Sequence, residues 1–271
     1  MPELPPNWTR LFPDEDYGFH FGVHRGPAAA FFAPTDDNER LLAERDQWLN
    51  EQPERHVGLL PEGEDVLEGA VSLLESWQLA STTNETPRAR LTDLSRQVEA
   101  DLVLMKPNAA GAFIMVGGSV CFPSSWRLTD KLGLPLGSIH EPVPGLNHSL
   151  GDAIDRFLRT LKPDSAAFRA NWGLSRSPEL NQHPDLERPP LMPPVTSNDV
   201  FVRIENQALV ALPGSDGILF GIRLEIIPLP ELAQYPKAVV GLKRALRTMP
   251  DEVADYKNLS ASRAAIIELL N

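Results

Sequence analysis

Hydrophobic residues in the first hundred positions recur at the three- and four-residue spacing of amphipathic helices. One helix is predicted to open at Thr35-Asp-Asp-Asn38 and to end before Pro53. Asp65 is predicted to cap a second helix, and a third is predicted after Pro87. The stretch before these helices is rich in proline, glycine and aromatic residues without a clear period, so we expect an irregular arm that lies on the body. Residues 1–100 are therefore predicted to form a mainly helical region.

From Asp101 the pattern changes to the alternation typical of strands. The last two strands flank Pro213-Gly-Ser-Asp-Gly217, a set of turn residues, which predicts that they are antiparallel neighbours. Their rows of arginine and glutamate could then pair across the strands. The predicted strands are Leu102–Met105, Ala112–Val116, Phe168–Trp172, Val200–Gln207 and Ile218–Ile227.

Helices are predicted to flank this sheet. Ser124–Gly133 has a serine cap and a terminating glycine, and after a loop over 135–147 Ser149 is predicted to cap a longer helix. Two more are predicted near the end of the chain, over 236–248 and 261–270. Six prolines within 178–194 exclude a helix or a central strand, so this segment is either a disordered linker or the wall of a site. The chain is predicted to be α+β, with an antiparallel sheet and flanking helices in residues 101–271.

Charge and composition narrow the function. The formal net charge of −12 over 271 residues opposes binding to nucleic acid or to an anionic membrane. No apolar stretch of membrane-spanning length and no secretory signal is present, so we expect a cytoplasmic protein. The single cysteine, Cys121, cannot form an intramolecular disulfide or a cysteine-rich metal site, and its apolar surroundings predict a core position.

His140 is the histidine with the most defined local context. The chain lacks a Walker loop, a Gly-x-Gly-x-x-Gly turn, a His-Glu-x-x-His helix and a Gly-x-Ser-x-Gly elbow. A nucleotide site, a zinc-protease site and a hydrolase nucleophile elbow therefore have no motif to support them. The prolines at 142 and 144 stiffen the loop that carries His140. A rigidly presented imidazole suits a metal or haem ligand, and the alternative is a loop histidine that hydrogen-bonds a carbonyl group.

Three arginines on predicted strands are the other candidates: Arg169, Arg203 and Arg223. They either pair with Glu205 and Glu225 or bind the carboxylates of an anionic cofactor. The spacing alone leaves both interpretations open.

Several short motifs, read in order, resemble the haem-dependent oxidative N-demethylase family, which includes the haem subunit of dimethylamine monooxygenase. The similarity extends from about Leu102 to Leu259. The matching motifs are Phe122-Pro-Ser-Ser-Trp126, Lys131-Leu-Gly133, Ile139-His-Glu-Pro-Val-Pro-Gly145, Asp155-Arg-Phe157, Arg169-Ala-Asn-Trp172, Arg203-Ile-Glu-Asn-Gln207, Leu212-Pro213, Ile218-Leu-Phe-Gly-Ile-Arg223 and Tyr256-Lys257.

The resemblance implies a PAS-like fold that binds haem b, activates O2 and removes an N-methyl group from a small amine as formaldehyde. It implies that His140 is the axial iron ligand, with His183 and His20 as the next choices. It also implies an external flavin and iron–sulfur protein as electron donor. The groups expected to hold the haem carboxylates, directly or through neighbours, are Arg223, Arg203, Arg169, Trp126 and Asn171.

Two alternatives remain beside this reading: a non-catalytic PAS-type haem protein that senses a gas, and a haem oxygenase of the same fold with a different substrate. No kinase or helix-turn-helix output module is visible in the chain, which weighs against a sensor. The proline-rich segment 178–194 is the predicted edge of the pocket.

Overall fold

The computed structural model describes residues 8–163 and 165–271, and an antiparallel sheet of seven strands lies at its centre. All the predicted strands are present, and the two long ones, β6 and β7, are hydrogen-bonded antiparallel neighbours as predicted. The order across the sheet is β1-β5-β6-β7-β3-β4-β2. The strands are β1 (His24–Gly26), β2 (Val57–Leu59), β3 (Asp101–Pro107), β4 (Phe113–Ser119), β5 (Ala166–Ser175), β6 (Phe201–Ala211) and β7 (Ile218–Pro228).

Helices surround this sheet, and the α+β prediction is confirmed. Those predicted after Thr35, at Asp65, after Pro87 and near the end of the chain are all present. None of the described helices combines the length and the hydrophobicity that a membrane crossing requires. The α-helices are α1 (Trp8–Leu11), α2 (Ala28–Phe32), α3 (Asn38–Glu51), α4 (Pro53–His56), α5 (Glu64–Ser76), α6 (Pro87–Ser95), α7 (Leu136–His140), α8 (Leu146–Leu158), α9 (Leu229–Leu232), α10 (Pro236–Thr248), α11 (Asp251–Tyr256) and α12 (Arg263–Leu269).

The helix predicted over Ser124–Gly133 is wrong, because this segment forms a series of turns. Its backbone bonds to the sheet instead: the Gly133 N–H donates to the Met115 carbonyl at 2.8 Å, and the Met115 N–H donates to the Leu134 carbonyl at 3.1 Å. The serine and glycine that imitate helix caps therefore belong to a connection that runs along β4.

Two further boundaries differ from the predictions. Ser149 lies inside α8 rather than at its start, because the helix begins one turn earlier, after Gly145 with φ +76°. The segment predicted as a loop over 135–147 contains the short helix α7, which ends at His140. A helix of five residues is too short to give a hydrophobic period.

The two faces of the sheet have different partners, and the alternation along β6 shows the division. Val202, Ile204, Ala208 and Val210 are fully buried against helices from both ends of the chain. The odd-numbered residues of β6 from Arg203 to Leu209 point to the other side of the sheet. We call the first side the helix-packed face and the second the cavity face.

A buried ion pair joins the N-terminal helices to the start of β3. Arg45 of α3 donates to the Asp101 carboxylate at 2.8 Å, and both side chains are almost fully buried. The Asp101 carboxylate also accepts hydrogen bonds from the backbone N–H groups of Cys121 and Phe122. Cys121 is fully buried beside it, as predicted, and burial raises the pKa of its thiol to about 12.

Candidate functional site

A cavity of about 1390 Å³ is lined by the cavity face of the sheet and by helices α7 and α8, and it extends to residues of the helix-packed face such as Trp172, Asn206 and Glu225. Its floor consists of the side chains that alternate to this face on four adjacent strands. The floor residues are Val103 and Met105 of β3; Phe220, Ile222, Leu224 and Ile226 of β7; Arg203, Glu205, Gln207 and Leu209 of β6; and Arg169, Asn171 and Gly173 of β5.

The cavity has an apolar end and a polar end. At the apolar end, floor residues such as Met105 and Phe220 belong to a hydrophobic cluster with Ile154 and Phe157 of α8. The polar end is formed by β5, β6 and the residues that follow α11. A large ligand with an apolar body and charged groups at one edge matches this division.

The N-terminal arm completes the rim of the cavity. Tyr17, Phe19 and Phe21 line it, and Phe21 packs edge-on against Phe157 with ring centroids 4.9 Å apart. Arg244 of α10 anchors the arm through ion pairs with carboxylates at positions 14 and 16. The arm therefore lies on the body, as predicted, but it is not irregular throughout, because it contains α1, β1 and α2.

His140 ends α7 and lines the cavity. Burial lowers the pKa of its imidazole to about 4, with contributions from the positive charges of Arg169 and Lys131, against the opposing effect of Asp155. The ring is therefore neutral near neutral pH and keeps a nitrogen lone pair for a ligand. Within the described residues this ring makes no hydrogen bond to a carbonyl group, so the alternative interpretation of a bonded loop histidine finds no support.

Arg203 is buried on the floor of the cavity with its hydrogen bonds only partly satisfied. Its two terminal nitrogens donate to the carbonyl groups of Glu179 and Leu180 at 2.8 and 2.9 Å and to the Ser124 hydroxyl at 3.3 Å. Its Nε has no partner among the described residues. Burial lowers the pKa of Arg203 to about 10, and the Glu205 charge opposes this shift. The guanidinium thus has a donor left for an anion.

Arg169 lies on β5, with Gln207 as its cross-strand partner. In the described part of the chain its guanidinium makes no hydrogen bond to another residue. Burial lowers the pKa of Arg169, and the negative charge of Glu205 acts in the opposite direction. Its charge also helps to lower the His140 pKa, and both side chains line the cavity.

Arg223 borders the cavity but has its partners elsewhere. Because it pairs in register with Asn206, it alternates to the helix-packed face, opposite to Arg203. Its guanidinium forms an ion pair with Glu99 and donates to the Phe31 and Ala33 carbonyl groups at 2.6 and 3.3 Å. Of the three predicted arginines, two therefore face the cavity with free donors, and the third holds the N-terminal arm.

The two remaining predicted residues also lie on the cavity wall. Trp126 is half-buried beside the apolar cluster under α8. Asn171 stands opposite Glu205 in the β5–β6 register. In this register Arg203 stands opposite Ile226, Arg223 opposite Asn206 and Arg169 opposite Gln207, so none of the three arginines lies directly across from Glu205 or Glu225.

The other histidines have distinct positions. His183 is buried and packs against His56 with ring centroids 6.0 Å apart, outside the cavity wall. His20 is on the wall but exposed. The proline-rich segment contributes Pro178 and Leu180 to the wall, in agreement with its predicted place at the pocket edge.

Lys257 lines the cavity and is a residue for which no role was predicted. Its ammonium donates to the Trp172 carbonyl at 2.8 Å and lies 5.2 Å from the centre of the Trp172 ring. Burial lowers its pKa to about 8, and Glu205 opposes that shift. The available signal was its place in the Tyr256-Lys257 motif, because spacing alone does not show that a lysine after a helix turns inward.

The cavity has the size, the apolar end and the arginines that would suit a large, partly apolar anionic ligand. Seven arginine and lysine side chains and five carboxylates line the cavity, so its wall has a formal charge of +2 in a chain of −12. A family model described as "Haem-dependent oxidative N-demethylase, alpha subunit-like" matches residues 62–267. The chain belongs to this family, and the resemblance stated from its motifs is confirmed.

The residues of the cavity fit a haem group. Haem has an apolar macrocycle and two carboxylates, and it needs an axial ligand such as neutral histidine. The apolar end, the neutral His140 and the unpartnered Nε of Arg203 correspond to these three requirements.

Proposed function

We propose that this chain is a haem b-dependent oxygenase that removes an N-methyl group from an amine as formaldehyde. The observation that carries the proposal is that the neutral His140 of α7 and, on the sheet, Arg169 and Arg203 line the same cavity. The family match supports haem and oxidative N-demethylation. A PAS-like origin of the fold remains a prediction.

Each residue would have a defined role toward the cofactor. His140 would bind the iron through a neutral ring nitrogen. Arg169 and Arg203 would bind the two carboxylates, because charge-assisted hydrogen bonds to a guanidinium are strong and directional. Trp126 would border the macrocycle and Asn171 would add an amide donor. Arg223 would act only indirectly, through its hold on the arm.

Bound haem supplies oxygen and one-electron chemistry. The chain supplies the surroundings. Phe157, Met105 and the other residues of the apolar cluster exclude water from one end of the cavity. At the other end, Lys257 and Glu205 line the wall and would provide a proton donor and a proton acceptor.

Electrons would come from a separate flavin and iron–sulfur protein. Cys121 is the single cysteine of this chain and is fully buried. An iron–sulfur cluster needs several cysteine or histidine ligands. A redox partner is therefore part of the proposal.

The test of the proposal begins with haem binding. Haem is titrated into the purified chain, and we expect a Soret band that is displaced and weakened in His140→Ala. His20→Ala is the matched control, since His20 also borders the cavity but is exposed. An identical spectrum in wild type and His140→Ala would assign the iron to another ligand.

The reaction itself is tested with haem-loaded protein, oxygen, a chemical reductant and a panel of N-methylated amines. We expect formaldehyde in amounts that match amine consumed. Reversible carbon monoxide binding without formaldehyde from any amine would favour a gas sensor or a different oxidation.

A further inference from the structure

His56 and His183 form a buried pair of imidazole rings outside the cavity. Their ring centroids lie 6.0 Å apart, and the two residues are only 1% and 4% exposed. His56 ends α4 in the N-terminal region. His183 belongs to the segment 178–186, which we call the wall segment because part of it lines the cavity. The ring contact therefore joins the wall segment to the N-terminal helices.

The hydrogen bond of His56 fixes which of its nitrogens can take up a proton. Nδ1 lies 2.8 Å from the Val120 carbonyl oxygen, which can only accept, so the neutral ring carries its proton on Nδ1. Nε2 then holds the lone pair, and it is buried without a hydrogen-bond partner in the described part of the chain. A proton on Nε2 would create a buried positive charge and a buried N–H group with no acceptor.

His183 also has no place for a second proton, for a different reason. Its Nδ1 accepts a hydrogen bond from the Asp185 backbone N–H at 3.3 Å, which caps the turn Pro184–Leu186. A proton on Nδ1 would set two N–H groups against each other and break this bond. The Asp185 carboxylate, 3.7 Å from Nδ1, would offset part of the cost, but it is shared with Arg127 and Arg55.

The charges around the pair oppose a further positive charge. Burial lowers the pKa of both imidazoles, and the charge of His56 adds to this effect on His183. Three guanidinium groups act in the same direction and two carboxylates act against it. These groups are Arg45, Arg55, Arg127, Asp101 and Asp185.

The wall segment connects the histidine pair to the cavity. Leu180 and Gln182 line the cavity, and the carbonyl groups of Glu179 and Leu180 accept hydrogen bonds from Arg203 on its floor. A displacement of His183 would therefore withdraw part of the wall and take two acceptors away from Arg203.

The wall segment can move while the sheet stays intact. Its regular structure is limited to the turn Pro184–Leu186 and one bridge between Gln182 and Ser124. Segments with so little regular structure open locally at a lower free energy than buried helices and strands.

We propose that His56 and His183 form an acid-sensitive latch on the wall segment. With both rings neutral, the latch holds the segment at the edge of the cavity, and a proton taken up by either ring releases it and opens this edge. The latch goes beyond the proposed function and does not depend on it, because it uses neither the cofactor nor His140. Release is expected below about pH 6.5, where an ordinary histidine takes up its proton.

A fluorescent label on the wall segment tests the latch. Glu179→Cys places a thiol at an exposed position, and the native Cys121 is fully buried, so an environment-sensitive dye reacts at position 179. The labelled chain is titrated from about pH 8 to about pH 5 while far-UV circular dichroism follows the fold. We expect one dye transition below about pH 6.5 at constant circular dichroism. His140 stays neutral over this range because its pKa is about 4.

Substitutions assign the transition to the two rings. His56→Asn retains an amide N–H in place of Nδ1–H, and His183→Asn retains an acceptor oxygen in place of Nδ1. Each alone should weaken the pH dependence, and the two together should abolish the transition. Arg55→Gln removes a positive charge that acts on both rings, so the transition should move to higher pH. His148→Asn, on the exposed surface of α8, is the matched control and should change nothing.

Three results would overturn the latch: no dye transition in this range, an undiminished transition in the double variant, or a loss of circular dichroism at the same pH as the dye transition. If the double variant does not fold at about pH 8, Arg55→Gln decides, and a transition that stays in place or moves to lower pH contradicts the latch. The proposed function fails separately, since the titration contains no added haem and no amine.

Discussion

Arg223 of β7 forms an ion pair with Glu99, a residue 124 positions earlier, just before β3. The Glu99 carboxylate also accepts hydrogen bonds from the backbone N–H and the hydroxyl of Thr35. Since Arg223 donates to the carbonyl groups of Phe31 and Ala33 as well, three parts of the chain meet at one guanidinium–carboxylate pair: the segment 31–35, Glu99 and β7. This junction fixes the N-terminal arm against the sheet.

Glu99→Gln should destabilise the protein by about 2–4 kcal/mol, because the Glu99 side chain is only 2% exposed and its loss of charge leaves Arg223 without a counter-ion. Urea unfolding followed by tryptophan fluorescence measures the change. The matched control is Glu68→Gln, which removes an ion pair with Arg90 at a site where Glu68 is 56% exposed. The control substitution should lower the free energy of unfolding by less than about 1 kcal/mol. Equal effects of the two substitutions would contradict a special role for the junction.

Arg169→Met should weaken haem binding about 10- to 100-fold with little change in folding stability, because this guanidinium has no hydrogen-bonded partner among the described residues. Arg223→Met should show the reverse pattern, a loss of stability larger than the loss of haem affinity. Competition for haem with an apomyoglobin acceptor and urea unfolding provide the two measurements. If Arg223→Met lost more haem affinity than Arg169→Met, Arg223 would have to bind the cofactor directly.

The buried ammonium of Lys257 should make stability depend on pH. Burial lowers its pKa from 10.5 to about 8 in the folded chain. Between these values the unfolded chain binds more protons than the folded one, so the free energy of unfolding rises with pH. From about pH 8 to pH 10 the free energy of unfolding of the wild type should rise by on the order of 1–2 kcal/mol relative to that of Lys257→Met.

Subtracting the Lys257→Met curve removes the contributions of the tyrosines, which also titrate in this range. Lys237→Met, at an exposed position, should leave the pH dependence of the wild type unchanged. If the free energies of unfolding of the wild type and Lys257→Met differed by a constant amount across this pH range, Lys257 would be solvated in the folded protein.

Gly241→Ala should destabilise the protein, although alanine normally favours a helix. A Cβ at this position of α10 would overlap the backbone carbonyl of Phe12, so the N-terminal arm would have to move. Gly151→Ala in α8 is the matched control, since its Cβ would meet only ordinary contacts at 3.8 Å and should stabilise the helix by about 0.5–1 kcal/mol. Thermal unfolding and limited proteolysis of the arm should separate the two variants. Equal melting temperatures of the two variants would show that the arm can move aside without a loss of stability.

Much of the fold could be read from the sequence because β6 and β7 alternate over eleven residues each, and α5 buries a continuous stripe. Long elements carry enough period to be recognised. The edge strands β1 and β2, with three residues each, do not. The turns at Ser124–Gly133 imitate a capped helix, and only their hydrogen bonds to β4 reveal the difference.

For the site, family motifs were more informative than spacing. His140 and the strand arginines were identified from the sequence, and they do lie around one cavity. The separation of Arg223 from Arg203 depends on strand register, because a shift of one residue exchanges the two faces. The inward path of Lys257 depends on a contact between α11 and β5, which no local pattern encodes.

The order of strands in the sheet has one more consequence. Both edge strands, β1 and β2, come from the first hundred residues, and each pairs with three residues of a longer neighbour. Without them, β5 and β4 would present continuous rows of unpaired backbone groups, along which a second molecule could add its own strand. The N-terminal segment thus ends the sheet with a strand of three residues on each side, and short edge strands offer a second molecule little backbone with which to pair.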